Sequence, residues 1–379
     1  MADALRPDST DALAGIITDA ARDGTRLRLR GGGSKDAIGA PTPDARIVNM
    51  RGFAGVVDYD PPELVLTVKA GTPLAEIQAL VADKGQMLAF DPFDHGVLLG
   101  AADGNATIGG IVAAGVAGPT RVSRGAARDH LLGFVGVSGR GERFVAGAKV
   151  VKNVTGYDLP KLITGSWGRL AAITELTLKV LPAPRVRLTL GVSGLDPATA
   201  VTAMARAMGS AADISAAAHL PAWNGGALTA IRLDGFASSV DARATIVTRL
   251  IDGIAPIADE QATKLWPAIA TAAPLTGDAP LWRIIVPAAR APALIDTLGS
   301  RDWLLDWAGG LLWLASANDP QAIRTAAAAV GGHAMLVRAD ADTRAAVPAL
   351  HPQPTPLAAL EERIRRAFDP AGVFETGRF

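Results

Sequence analysis

The feature of the sequence that most constrains the fold is a run of three glycines directly after a short alternating segment. In residues 26–30, leucine alternates with arginine, which is the two-residue period of a β-strand. Glycines occupy positions 31–33, and Ser34 and Lys35 follow them. Because glycine accepts positive φ without steric cost, such a loop can turn its backbone N–H groups toward a phosphate. The alternative is a plain tight turn, and the loop alone leaves both interpretations open.

The spacing of this loop excludes two known nucleotide loops. The Gly-x-x-x-x-Gly-Lys-Ser/Thr spacing of a Walker A loop fails here, and the Gly-x-Gly-x-x-Gly fingerprint of a Rossmann fold is absent. A phosphate-binding role would therefore belong to a different fold.

Two further small-residue segments follow along the chain. Residues 107–115 combine Thr107 with glycines and alanines, which let another backbone or a flat ring system approach closely. Residues 156–174 predict a helix that leads into a glycine-rich turn and a strand. The alternatives are a helix start packed through glycine and alanine, and a structural turn.

A proline-rich break at residues 182–184 divides two kinds of pattern. The part before the break combines glycine-rich loops with short strands, and Thr72 and Pro73 are expected to be the N-cap and first residue of a helix. The part after it alternates alanine-rich helical and strand-like segments, which predicts an α+β domain with an antiparallel sheet and helices on one side. Helices are predicted at 8–23, 72–84, 198–209, 238–252, 289–299, 320–330 and 360–368, and strands at 27–29, 47–50, 56–59, 64–68, 131–137, 170–181, 186–193, 227–233, 281–286, 311–315 and 334–338.

Composition removes several function classes. The 379 residues contain no cysteine, which excludes disulfides, thiolate catalysis and Cys-ligated zinc or iron–sulfur centres in this chain. Lysine plus arginine and aspartate plus glutamate both number 37, which argues against a strongly basic nucleic-acid binder. Residues 1–10 carry three charges and no apolar core, so we expect no secretory signal. The strongly apolar stretch at 109–118 is about half of a bilayer span.

Taken together and in this order, the three segments resemble the flavoprotein family whose FAD-binding domain is shared by vanillyl-alcohol oxidase, p-cresol methylhydroxylase and the bacterial 2-hydroxy-acid dehydrogenases. Residues 281–287, 305–313 and 332–334 are similar to the E subunits of bacterial glycolate oxidases. Residues 368–374 resemble the closing signature of this family, although Glu375 and Thr376 stand where Asn-Pro is usual.

The resemblance implies an α+β fold in three parts. A two-part FAD-binding domain with parallel and mixed or antiparallel sheets spans 1–182, an α+β cap on the substrate side spans 183–345, and a helix and tail at 346–379 return to the FAD domain. It also implies FAD contacts from the three segments and from the loop before residue 95. The implied FAD-binding residues are Gly31, Gly32, Gly33, Ser34, Lys35, Asp94, Thr107, Gly109, Gly110, Ala113, Gly115, Gly165, Gly168 and Ile173.

Two family features are missing. Covalent members carry a histidine in or near the glycine-rich loop, where Ser34 and Lys35 stand here, so we expect non-covalent FAD. The His-x-x-Gly-Asp-Gly-Asn-x-His block of the catalytic dehydrogenases is absent; residues 103–105 match only its centre and have no flanking histidine. The five histidines are scattered, so we expect no metal, and no catalytic base is identified.

Single residues are open to two interpretations each. His95 is either a flavin-edge group or an exposed loop residue, and His333 is either a site residue or a structural residue at a strand edge. Arg283 and Arg338 could bind a carboxylate or be ordinary surface arginines. The tryptophans Trp303, Trp307 and Trp313 are expected in the core or a subunit interface rather than around a cofactor.

The resemblance implies an FAD-binding subunit of a complex that oxidises glycolate to glyoxylate. Its partners would be a related flavin subunit that carries the histidine-rich block and an iron–sulfur subunit, because this chain has no cysteine. We expect it in the cytoplasm, with peripheral attachment to the inner membrane through partners as an option. The alternatives are a self-sufficient FAD-dependent dehydrogenase of another 2-hydroxy acid such as D-lactate, and a flavin-free scaffold subunit.

Overall fold

The computed structural model describes residues 4–148 and 156–379, so the first three residues of the N-terminal segment lie outside the description. The strands are β1 (Leu27–Arg30), β2 (Arg46–Asn49), β3 (Val56–Asp60), β4 (Val65–Lys69), β5 (Gln86–Met87), β6 (Leu131–Ser138), β7 (Arg143–Gly147), β8 (Ala171–Lys179), β9 (Leu181–Pro182), β10 (Val186–Ser193), β11 (Ala216–Trp223), β12 (Gly226–Gly235), β13 (Ala255–Pro256), β14 (Leu281–Ile285), β15 (Trp303–Asp306), β16 (Leu311–Ala315) and β17 (His333–Arg338). The helices are α1 (Thr10–Asp23), α2 (Leu74–Asp83), α3 (His95–Leu98), α4 (Ile108–Ala114), α5 (Arg121–Arg124), α6 (Ala127–His130), α7 (Leu159–Ile163), α8 (Pro197–Met208), α9 (Ala237–Leu250), α10 (Asp259–Ala270), α11 (Ala291–Leu298), α12 (Pro320–Ala329), α13 (Ala341–Ala346) and α14 (Thr355–Phe368).

The first layer presents the glycine-rich loop. Strand β1 pairs in parallel with β2, and the loop begins where β1 ends. Helix α1 begins at the N-cap Ser9 and ends at Gly24, whose φ of 68° gives the left-handed turn that favours glycine. Its buried face packs with the two strands in one apolar cluster. The loop therefore leaves a fixed strand end.

A five-stranded sheet forms the second layer. Its order is β3-β4-β8-β6-β7, and every neighbouring pair is antiparallel. Helices α2 and α4 contribute Ile77, Val81, Ile108 and Ile111 to the apolar cluster that includes strands β4 and β8. This packing sets α4 beside the start of β8.

The larger sheet has eight antiparallel strands in the order β13-β10-β12-β11-β15-β16-β14-β17. Its strands and helices α8, α9, α11 and α12 share one apolar cluster. Another cluster joins α10 to sheet residues and to residues of the first half of the chain, Ile38, Leu98 and Ala117 among them. The prediction of helices on one side only is thus wrong, because α10 belongs to the cluster that includes residues of the first half of the chain.

The tail packs against the first layer. After α14, the carboxylate of Asp369 accepts the N–H groups of Val373 and Phe374 at 2.8 and 2.7 Å. Both apolar side chains join the cluster of α1, β1 and β2, and the Leu27 N–H donates to the Val373 carbonyl at 2.8 Å. The tail is consequently fixed next to the glycine-rich loop.

The α+β prediction is confirmed, and most predicted elements are present within a few residues of their expected bounds. The prediction of Thr72 as an N-cap is wrong. Its hydroxyl donates to the Lys69 carbonyl at 2.7 Å, and Pro73 is the N-cap residue of α2 instead. Strands β7, β11 and β15 and helices α10 and α13 are among the elements that were not predicted. The division at residue 182 stays a prediction.

Candidate functional site

An open cleft lies between the glycine-rich loop, α4 and the start of β8. It encloses about 780 Å³, including space open to solvent. Most of the predicted FAD-binding residues meet here although they come from three distant segments. The lining residues from the predicted set are Gly31, Gly32, Gly33, Ser34, Lys35, Thr107, Gly109, Gly110, Ala113, Gly168 and Ile173.

Ion pairs fix the end of the glycine-rich loop, whereas the backbone N–H groups of the loop have no protein acceptor among the described residues. Asp36 accepts Arg28 at 2.6 Å and Arg30 at 2.7 Å, which fixes the end of the loop. The backbone N–H groups of residues 31–35 donate to no acceptor among the described residues. Successive free N–H groups of this kind form an anion-binding concavity. The loop therefore has the donors that a pyrophosphate needs.

Glycine is required in the loop because other backbone lies against it. A Cβ on Gly32 would stand 1.6 Å from the carbonyl oxygen of Asn105, and one on Gly31 would stand 2.3 Å from the Thr107 hydroxyl. On the opposite wall, a Cβ on Gly110 would meet only Thr107 and, at 4.0 Å, the Nζ of Lys35. The Gly110 position thus keeps the cleft open for a ligand in van der Waals contact.

Lys35 supplies an unpaired cation to the same space. Burial lowers the pKa of its ammonium group to about 8; Asp94 opposes this shift, and Arg378 adds to it. Its Nζ contacts only the Ser34 hydroxyl at 3.5 Å and has no carboxylate partner among the described residues. A buried ammonium without a counter-ion is costly, and a bound anion would relieve that cost.

Three predicted residues lie behind the cleft rather than along it. The Asp94 carboxylate accepts the N–H of Gly96 at 2.7 Å and those of Asn105 and Ala106 at 2.8 Å each, so it fixes the loop that leads to α4. Gly115 ends α4 at φ 63°. A Cβ there would stand 3.3 Å from the Cα of Gly165, so this pair allows the turn before β8 to reach α4.

Several lining residues were not singled out from the sequence. Arg378 reaches the cleft from the tail, and Trp167 reaches it from the turn before β8, where its N–H donates to the Ala113 carbonyl at 2.8 Å. Trp167 belongs to the 156–174 segment and Arg378 to the closing signature, but neither was named as a cofactor-binding residue, because tertiary packing brings each to the cleft. The other additional lining residues are Leu29, Arg30, Asp36, Met50, Ala70, Ala114 and Ala171.

A second basic group lies between α3, α5 and the larger sheet. The guanidinium groups of Arg121 and Arg283 stack on Trp307, 4.5 and 5.0 Å from its ring centroid. Neither guanidinium group has a hydrogen bond or ion pair among the described residues. Burial and then Arg121 lower the pKa of Arg283 to about 10. The two unpaired guanidinium groups, one from each half of the chain, can accept a carboxylate.

His95 lies next to this basic group. It is 8% exposed and stacks on Phe93 with ring centroids 4.7 Å apart, so the interpretation as an exposed loop residue is wrong. Burial, then Lys35 and Arg283, lower its pKa well below the ordinary value. His95 is therefore a neutral imidazole.

The remaining candidates have structural contacts. Arg338 donates to the carbonyls of Leu98 at 3.2 Å and Leu275 at 2.7 Å, which favours a packing role. His333 begins β17 at the edge of the larger sheet, with the His351 ring 6.4 Å away. The prediction for the three tryptophans is confirmed, because each is 6% exposed or less in the core. No cluster of three potential metal-binding side chains occurs among the described residues.

Comparison with known proteins agrees with this geometry. Residues 2–147 match the family described as an FAD binding domain. The chain is 35% identical to glycolate oxidase subunit GlcE of Escherichia coli (strain K12) over 375 residues, which cover 98% of this chain and 97% of that protein. The chain belongs to the GlcE family. FAD is its cofactor, and the resemblance inferred from the sequence and the assignment to FAD-dependent oxidoreductases are confirmed.

One further protein is similar in sequence, and one solved structure is similar in fold. Glycolate oxidase subunit GlcD of Bacillus subtilis (strain 168) is 29% identical over 187 residues, which are 49% of this chain and 38% of GlcD. A solved structure of alkyldihydroxyacetonephosphate synthase superposes with a TM-score of 0.67 at 16% identity, over 97% of this chain and 75% of the synthase. That likeness shows the fold alone. Among the described helices, none is both long and apolar enough to span a bilayer.

Proposed function

We propose that this chain is the FAD-binding subunit of a complex that oxidises glycolate to glyoxylate. The oxidation removes two electrons and two protons from the substrate, and the electrons pass through FAD to an iron–sulfur partner. The observation that carries the proposal is the cleft lined by residues 31–35, whose backbone N–H groups have no acceptor among the described residues and whose half-buried Lys35 ammonium has no ion pair among them. Family membership supports the choice of substrate.

The residues of the cleft suit FAD. The loop N–H groups and Lys35 would hold the pyrophosphate, and the small residues Gly109, Gly110 and Ala113 would leave room for the flat ring system. When bound, FAD supplies the acceptor for the electron pair of the substrate. No histidine is among the residues that line the cleft, which supports non-covalent binding.

The substrate side of the proposal depends on the basic group at Trp307. Arg121 and Arg283 would bind the carboxylate of a small hydroxy acid, since neither guanidinium group forms an ion pair among the described residues. The neutral His95 would add a hydrogen-bonding group without competing for the carboxylate. No residue is assigned as the base, and turnover by this chain alone is not proposed.

The amino-acid composition and the similarity to other subunits support two partners. Because the chain has no cysteine, a cluster held by thiolates must sit on another polypeptide. GlcE and GlcD are both named as glycolate oxidase subunits, which supports a related flavin subunit as a second partner. We place the complex in the cytoplasm, attached to the inner membrane through partners, and the domain division at 182 and 345 is part of the same proposal.

The visible absorption spectrum of the purified chain, before and after anaerobic addition of glycolate, tests the proposal. We expect flavin bands that persist with the chain alone and bleach once both partner subunits are added. Bands that bleach at the full rate without partners would overturn the division of labour. Failure to show flavin bands even after addition of FAD would overturn the cofactor assignment.

A matched pair of variants tests the carboxylate site in the assembled complex. Arg283→Gln should raise the glycolate concentration needed for half-maximal bleaching by about tenfold, because a buried charge-assisted contact is lost. Arg301→Gln, at an exposed position, is the control and should leave that concentration unchanged. Equal behaviour of the two variants would exclude Arg283 from the substrate site.

A further inference from the structure

The tail residues Arg378 and Phe379 contact two walls of the cofactor cleft. The Arg378 side chain donates from Nε to the carbonyl of Ile38 at 2.8 Å and from Nη2 to the carbonyl of Lys35. Its own carbonyl accepts the Ala40 N–H at 3.0 Å. The ring of Phe379 lies 4.7 Å from that of Trp167, which also lines the cleft.

These contacts orient the glycine-rich loop. The carbonyls of Lys35 and Ile38 accept hydrogen bonds from Arg378, and the Gly39 carbonyl accepts Arg344 at 3.1 Å. The outer side of the loop is thus satisfied by arginine donors, whereas the N–H groups of residues 31–35 stay free. Gly39 is required for the contact, because its φ is 79° and a Cβ there would stand 2.5 Å from the Arg378 carbonyl oxygen.

Arg378 also faces the cleft as a cation. It lines the cleft, and its Nη1 has no acceptor among the described residues. Burial, followed by the charge of Arg28, lowers its pKa to about 10, and the charge of Arg378 in turn lowers the pKa of Lys35. Two cations that destabilise each other at one end of a cleft favour a ligand with two negative charges.

We propose that Arg378 is a positioning residue for the glycine-rich loop and a phosphate ligand of the cofactor site. Through Arg378, the tail would contact the pyrophosphate end of the cleft. The proposal rests on the proposed function, because it takes the ligand to be the pyrophosphate of FAD. It assigns a role to a residue that lies 343 positions from the loop it holds.

Titration of the apo-protein with FAD and with riboflavin, followed by flavin fluorescence, tests the proposal. Arg378→Ala should raise the dissociation constant of FAD by about tenfold or more, since a charge-assisted contact to phosphate is lost together with the loop contacts. Riboflavin has no phosphate, so its affinity should change by less than about twofold. Arg363→Ala, an exposed arginine of α14, is the control and should leave both affinities unchanged.

The outcomes separate this proposal from the one on which it rests. Wild-type protein that fails to bind FAD would overturn the proposed function. Wild-type protein that binds FAD while Arg378→Ala binds it equally well would overturn only the role of Arg378, and so would equal losses for FAD and riboflavin. If Arg378→Ala unfolds, as judged by the melting temperature of the apo-protein, Arg378→Gln removes the charge, keeps an N–H donor and provides the same comparison.

Discussion

Two groups of charged residues in this molecule differ in whether their cations have carboxylate partners. Between the two halves of the chain, Asp234 accepts Arg124 at 2.6 Å and Arg232 at 2.9 Å, and Arg232 also reaches Asp91 at 3.5 Å. Both cations of this network, Arg124 and Arg232, have a carboxylate partner. In the cofactor cleft, by contrast, Lys35 has no carboxylate partner among the described residues.

The difference separates structural charges from ligand-binding charges. A buried pair that is already neutralised holds two elements together and offers nothing to a ligand. A buried cation without a partner raises the free energy of the empty site, and an anion lowers it again. We therefore expect substitutions in the network to lower the free energy of unfolding, and substitutions in the cleft to lower the affinity for FAD.

The largest effect should come from the network. Asp234→Ala leaves two buried guanidinium groups without their shared carboxylate, so the free energy of unfolding should fall by about 3–5 kcal/mol. Urea unfolding measures this. Asp19→Ala removes an exposed pair with Arg22 and should cost less than about 0.5 kcal/mol. Equal costs in the two variants would remove the distinction.

In the cleft, Gly32→Ala should abolish measurable FAD binding, with an affinity loss of at least about a hundredfold. The new methyl group would collide with the Asn105 carbonyl and displace the loop. Flavin fluorescence titration gives the affinity. Gly15→Ala in α1 is the matched control, because nothing lies near its Cβ; it should leave FAD binding intact and stabilise the helix by about 0.5–1 kcal/mol.

The affinity for FAD should depend on pH through Lys35. Its pKa of about 8 in the free protein means that the ammonium form prevails below pH 8, and a bound pyrophosphate would raise that pKa. FAD affinity should therefore be constant below pH 8 and fall by up to about tenfold per pH unit above it. Dissociation constants between pH 6.5 and 9.5 check this; Lys35→Met should remove the dependence and Lys264→Met, at an exposed site, should retain it.

The smallest effect should come from Asp306, a buried acid beside the unpaired Arg283. Burial raises its pKa from 3.8 to about 7, so the folded state holds this proton where the unfolded state has lost it. Stability should consequently fall as pH rises from about 4 to 7, and Asp306→Asn should flatten that slope and gain about 1–3 kcal/mol at pH 8. Urea midpoints at pH 5 and pH 8 measure it. A steeper slope in the variant would contradict the assignment.

The local part of the candidate cofactor site could be predicted from the sequence. The strand and glycine loop at 27–35 were predictable because alternation and glycine conformation are properties of neighbouring residues. Helix α2 was predicted with the wrong cap, because the Thr72 hydroxyl donates to the Lys69 carbonyl three residues earlier and accepts the Gly55 N–H at 3.0 Å instead of capping the helix.

Features that depend on contacts between distant segments could not be predicted from sequence patterns. Strand β11 begins with three alanines, which have low β-propensity, and it forms because its neighbours β12 and β15 complete the ladder. Helix α10, which was not predicted, contains Pro267, a residue that disfavours a helix interior. Trp167 and Arg378 join the cleft through packing between segments far apart in the sequence, which no spacing rule reports.

The contact between the tail and the glycine loop also has a consequence for the order of folding. Lys35 and Arg378 are more than 340 residues apart, so bringing them together has a high entropic cost. This contact therefore forms later than local strands and helices. During synthesis, the glycine loop emerges early, yet the arginine that satisfies its outer carbonyls is made only near residue 378. A nascent chain therefore has the glycine-rich loop long before the contacts of that loop to Arg378 can form. With the cleft as the proposed FAD site, binding of FAD would follow completion of the whole fold.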